Sequence, residues 1–189
     1  MNVLIVPEDF RKDQYILRPL FQRLFRNLGR PAARVRVCQN PLLGGIHQAL
    51  NVERLSEIVD QYRGMTDLFI LCVDCDGRAG RRHQLDGIEQ QFADSAVFFA
   101  ENAWEELETW VLAGVQLPSD WSWSEVRAEV QVKEVYFDRF VRRRGLEDHP
   151  GGGRKPLGEE AARRMDAIRA KCLEDFDALA QRISDWLSE

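Results

Sequence analysis

The chain has no apolar run near the ~20 residues that a membrane span requires. Its mean hydropathy is −0.39. The opening MNVLIVPEDF lacks a basic segment and a cleavage site, so neither a signal peptide nor a membrane partner is expected. Histidine is scarce: His47, His83 and His149 have no ligand spacing, which argues against zinc. Four cysteines at irregular positions make no disulfide framework and point to a reducing, cytoplasmic setting. Cys72 and Cys75 form a C-x-x-C pair, but at a strand end rather than a helix start, and are read as packing residues. Lysine is rare too, because 22 of the 26 basic residues are arginine. Guanidinium is the better bidentate phosphate ligand, although genomic base composition alone would give the same excess. GGGRKP (151–156) lacks the Lys-Ser/Thr pair of a nucleotide-binding phosphate loop.

At 189 residues and 44% hydrophobic content, the chain suits one domain with an appendage. The net charge of −5 is uneven. Residues 1–36 hold eight Lys/Arg against three Asp/Glu, and the excess of acid lies in the rest. Overall acidity therefore does not exclude nucleic acid as a partner, since the acids can gather around metal.

The centre of the pattern is DLFILCVDCDG, Asp67 to Gly77. A continuous apolar run bounded by turn residues reads as a buried parallel strand. It delivers Asp74 and Asp76 to the strand's carboxyl end, where open α/β sheets bind ligands. Two close carboxylates repel unless a cation lies between them, and magnesium or manganese is the expected ion. The plainer reading is an acidic surface loop. NVLIV (2–6) is a second buried strand, with Glu8 just beyond it. ARVRVC (33–38) alternates basic and apolar residues, as an edge strand does. SAVFFA (95–100) is the fourth apolar run. Helical spacing of apolar residues separates these strands, so βα units and a parallel sheet are expected.

A helix from about Gln14 carries Arg18, Arg23, Arg26 and Arg30 on its polar face, with Asp13 as a candidate cap. Pro19 falls inside it. GRAGRR (77–82) sets Arg78, Arg81 and Arg82 beside the acids as candidate phosphate ligands, with Lys155 as another. After the fourth strand, ENAWEELETWVLAG reads as a helix on which Glu105 and Glu108 share a face, either completing a metal site. A helix start enriched in acids is the alternative. The division expected is an α/β core over 1–115 and a helical extension over 116–189.

Glu8 followed by Asp74-x-Asp76 resembles the Toprim pattern of topoisomerases, primases and OLD-type nucleases. EELETWVLAG, VKEVYFDRF and RKPLGEEAARRMDAIRAKCLEDFDAL are similar to blocks of a compact bacterial Toprim-like family, so the resemblance covers most of the chain. It implies a four-stranded, mainly parallel sheet in the order 2-1-3-4. It also implies magnesium- or manganese-dependent phosphodiester hydrolysis or transfer on DNA or RNA, in a bacterial defence or DNA-processing system. Asp74 and Asp76 would hold the metal, Glu8 would be a ligand or general base, and Glu105 or Glu108 would support it. Relatives place Gly after the first Glu and an acid four residues on; here stand Asp9 and Lys12, with Asp13 one residue late.

Two other readings remain. ILCVDCDG resembles the first motif of haloacid-dehalogenase-type phosphatases, with Asp74 as nucleophile, although Arg78 replaces the expected Thr. The chain also suits a non-catalytic, metal-binding adaptor that works with a partner protein supplying ATPase or targeting functions.

Overall fold

A computed structural model describes the whole chain, Met1–Glu189. Four strands, β1 (Asn2–Pro7), β2 (Arg34–Val37), β3 (Leu68–Asp74) and β4 (Phe98–Ala103), form one sheet in the order β2-β1-β3-β4. All three pairings are parallel. The expected class and strand order are thus present. β1 and β3 are buried on both faces, which is why their sequences run apolar without alternation. β2 leaves Arg34 and Arg36 exposed at the edge.

Alternate strand residues feed two cores. Val3, Ile5, Ile70 and Cys72 face one cluster, built with α1 (Phe10–Asn27) and the C-terminal helices. Leu4, Val6, Leu71 and Val73 face the other, covered by α2 (Ile46–Ala49), α3 (Val52–Tyr62) and α4 (Arg81–Phe92). The result is three layers, helix on sheet on helix. No helix is long and apolar enough to cross a membrane.

Helix α1 starts at Phe10, earlier than its apolar spacing suggests. Asp9 is the cap, accepting from the Arg11 N–H at 2.9 Å, and Asp13 accepts from the Asp9 N–H at 2.8 Å. Pro19 lies within this helix without ending it.

The fourth strand is displaced from the expected 95–100. Ser95 and Ala96 still bond back to Phe92 as the close of α4, so the strand begins at Phe98 and runs on through Glu101 and Asn102. Ion pairs from Arg82 and Arg182 make burial of Glu101 tolerable there. Helix α5 (Glu108–Gly114) consequently begins late. Glu105 lies outside it, in a left-handed turn with φ 67°, so Glu105 and Glu108 do not share a helix face.

The C-terminal part packs into the first core. α6 (Trp123–Ala128) leads to a π-helical turn, Lys133–Phe137, continued by α7 (Asp138–Arg143). Then follow α8 (Arg154–Ala162), α9 (Met165–Lys171), a second π turn at Leu173–Asp177, and α10 (Ala178–Trp186). Two glycines fix α8. A side chain on Gly158 would meet the Tyr15 carbonyl of α1, and one on Gly114 would meet the Ala161 backbone at 2.8 Å. Phe176 fills the space between Phe21, at 5.8 Å, and Trp110, at 5.0 Å in an edge-on arrangement.

Candidate functional site

The chain leaves β1 for β2 on one side and reaches β3 on the other, so the sheet's switch point lies between β1 and β3. Pro7 pairs with Cys72 in register. Glu8 and Asp74 therefore stand at the carboxyl ends that flank this point. Around them is a small polar cavity of about 110 Å³ with no hydrophobic lining residue. Glu8, Asp9, Lys12 and Asp13 come from β1 and α1, and Asp74 from β3. Glu106 comes from the turn between β4 and α5, Glu108 from the start of α5, and Lys133 and Arg154 from the C-terminal part.

Each carboxylate is held by a different device. Asp74 Oδ1 accepts from the Leu107 N–H at 2.8 Å, which ties β3 to the start of α5. Asp13 is held by the Asp9 N–H. Glu106 accepts from the Lys133 N–H at 2.5 Å. Glu108 is buried, 5% exposed, and forms an ion pair with Arg154, also 5% exposed. Glu8 Oε2 is buried without any hydrogen-bond partner. Glu8 and Asp9 also border a larger cavity of about 440 Å³, closed by Arg11 and the Leu42–Gly45 loop. Glu8 is thus a wall between two spaces.

The electrostatics follow from this crowding. Burial first, then the charges of Glu108, Asp13 and Glu8, raises the Asp74 carboxyl well above its ordinary range. Burial, Glu108, Asp9 and Glu8 push Asp13 up to about 7, against the Asp9 N–H, which pulls it down. Glu106 is also raised to about 7, chiefly by burial. Glu8 is raised by burial and then by Asp76.

Asp76 sits apart from the other acids. It is exposed, with φ 55°, and Oδ2 lies 3.9 Å from Arg81 Nη2. Its charge acts on Glu8 from outside the cavity. Glu105 braces that turn: its carbonyl accepts from the Cys75 N–H at 2.7 Å and its carboxylate from the Gly77 N–H at 2.5 Å. The expected set therefore divides. Glu8, Asp74 and Glu108 meet in the cavity, whereas Asp76 and Glu105 shape the adjoining turn.

The basic residues divide as well. Arg78 is exposed beside the acids. Arg81 is buried next to Asp76, its Nε without a partner. Arg82 is engaged below the site by Glu101 at 2.8 Å, Asp86 at 2.9 Å and Glu89 at 3.2 Å. Lys155 points into a separate groove between α1 and α8. Arg154, its neighbour, reaches the cavity instead. Sequence reading gave no special place to Arg154, Lys133 or Glu106. Arg154 opens a helix after three glycines, a faint signal, and nothing local marks the other two.

The cavity's acids are carboxyl groups from three elements, crowded enough to resist ionisation, with one oxygen unpartnered. As they stand, no three His, Cys, Asp or Glu side chains form a metal-holding group, so gathering around an ion requires side-chain rotation. Comparison with protein-family models, with curated proteins and with solved structures gave no match.

Proposed function

We propose that this chain is a Toprim-like, metal-dependent phosphodiesterase acting on nucleic acid, with its reaction centre at the β1/β3 switch point. The observation that carries the reading is the convergence of Glu8, Asp13, Asp74 and Glu108 around one small polar cavity. Such crowding of buried acids costs stability, and perturbed carboxylates in a cleft mark functional sites.

Asp74, Glu8 and Asp13 would hold magnesium or manganese, with Asp76 at the outer edge. The ion, when bound, polarises a phosphoryl oxygen and lowers the pKa of water. Glu8 supplies the base. Its raised pKa and unpartnered Oε2 suit it to take a proton from the attacking water. Oxygen bonds to phosphorus as the ester P–O bond breaks, and the leaving oxygen takes a proton from solvent. Lys12, which lines the cavity, and Arg78, exposed just after the adjoining turn, would neutralise phosphate charge. Arg154 is a positioning residue: its ion pair holds the Glu108 carboxylate at the cavity.

The test is a panel of single- and double-stranded DNA and RNA with magnesium or manganese, and with a chelator as control. Wild type is expected to cut at least one substrate. Glu8→Gln and Asp74→Asn should each lose at least 100-fold in rate, on the order of general-base and electrostatic contributions. Cleavage that persists in Asp74→Asn would overturn the assignment. Salt-sensitive binding without cleavage would make the chain an adaptor.

A further inference from the structure

Outside the carboxylate cavity, a strongly charged concave surface lies between α1 and α8. One cavity of about 340 Å³ is lined by Gln14, Tyr15, Arg18, Lys155 and Glu159, among others. A second, of about 240 Å³, includes Arg23, Arg26, Glu159 and Arg163. Both are bordered by Pro19, Gln22 and Glu159, so they form one groove. The close contact at Gly158 sets its floor.

Five cations line it against the single carboxylate of Glu159. None of the five takes part in an ion pair, unlike Arg82, Arg127, Arg144, Arg154 and Arg182 elsewhere. Arg18, Arg26, Lys155 and Arg163 are exposed, and Arg23 keeps a buried Nε without a partner. Like charges held together unpaired cost stability, and neighbouring acids normally relieve them. Here Glu159 alone is available. Arg18, Gln22 and Arg26 recur every four residues, a stripe along α1 about 12 Å long.

Lys12 and Asp13 line the carboxylate cavity, and Gln14 and Tyr15, next in the chain, line the groove. Arg154 and Lys155 do the same on α8. Neighbouring residues on both helices thus line the carboxylate cavity and the groove.

We infer that the α1–α8 groove is the track for the phosphate backbone of a single nucleic-acid strand, leading to the carboxylate cavity. This rests on reading that cavity as a site for phosphodiesters. Two small cavities, of about 340 Å³ and about 240 Å³ between packed helices, suit a single backbone better than a duplex. Charge complementarity selects a polyanion, and the repeated cations select one with regularly spaced charge.

Binding is measured by fluorescence anisotropy in chelator, so that no cutting intervenes, using labelled single-stranded DNA, single-stranded RNA and duplex DNA. Wild type should bind a single strand more tightly than duplex. Three groove contacts contribute about −2 to the slope of log K against log salt. Arg18→Glu/Arg26→Glu/Lys155→Glu should weaken binding at least 100-fold at about 0.1 M salt and remove that part of the slope. The glutamine triple variant, which avoids charge reversal, should do so less steeply if the first does not fold. Arg54→Ala/Arg63→Ala, on α3 and at its C-terminal cap in the opposite layer, should change neither. No strand binding by wild type, equal binding by the groove variants, or preference for duplex overturns the proposal. Wild type that binds through the groove but never cuts with metal sinks the hydrolase reading alone. Cutting that persists at full rate and affinity in the groove variants sinks the groove alone.

Discussion

Trp110 Nε1 donates to Asp175 Oδ2 at 2.8 Å across 65 residues of sequence. The same oxygen accepts from the Trp104 N–H at 2.8 Å, and Arg127 closes the set at 3.0 Å on Oδ1. Asp175 is 2% exposed and sits in the second π turn, an irregular element often found near functional sites. It therefore fixes the path from β4 to α5, which delivers Glu106 and Glu108.

Asp175→Ala would leave a buried indole N–H and a backbone N–H unpaired, and Arg127 with only the exposed Glu174 as its partner. The expected loss is about 3–5 kcal/mol, or roughly 10 °C in Tm for a chain of this size. Asp175→Asn should lose less, because one oxygen acceptor remains. A thermal melt of both variants checks this, and an alanine variant within a degree of wild type would remove the latch from the account.

The crowded acids make a signed pH prediction. Asp13 and Glu106, raised to about 7, and Asp74, raised well above its ordinary range by burial, bind protons in the native state that the unfolded chain has already released. Their stabilising contribution is complete below the unfolded carboxylate range near 4 and is lost as pH rises through about 7. In chelator, Asp13→Asn should therefore gain about 2 kcal/mol on wild type between about pH 5 and pH 8. Denaturant melts at both pH values measure the difference. A gap that is constant with pH would mean that Asp13 ionises normally.

Divalent cations and protons should compete for the same oxygens. Magnesium or manganese should raise Tm more at about pH 8 than at about pH 5, by linkage with a site present only in the folded chain. Asp74→Asn should lose most of that shift. Asp76→Asn should keep more of it, because Asp76 stands outside the cavity. Equal shifts in wild type and Asp74→Asn would exclude this cavity as the cation's place.

Arg78 and Arg82 should separate by assay. Arg82 bonds to the Ala100 carbonyl at 2.7 Å and to buried Glu101, so Arg82→Ala should lower Tm and leave salt-dependent strand binding little changed in the folded protein. Arg78→Ala should leave Tm alone and weaken strand binding, at a cost of about one charge in the salt slope. The reverse pattern would place the phosphate on the opposite side of α4.

The amino-acid sequence by itself determined the sheet. Strands buried on both faces must run apolar, so NVLIV and LFILCV announce themselves, and the Arg/Val alternation of β2 marks an edge. Glu8 and Asp74 were legible because an acid directly after such a run has only the crevice or solvent to face. Tertiary structure alone decided which other groups meet them. Whether β4 ends at Ala100 or Ala103 depends on Arg182 and Asp175, more than 70 residues away, and that choice sends Glu105 to the 75–77 turn and Glu108 to the cavity. Arg82 and Arg78 look alike in a basic loop, and only the buried Glu101 on the neighbouring strand tells them apart. Local periodicity reports which face of an element is buried; it carries no record of the distant charges that make burial of a carboxylate or a guanidinium affordable.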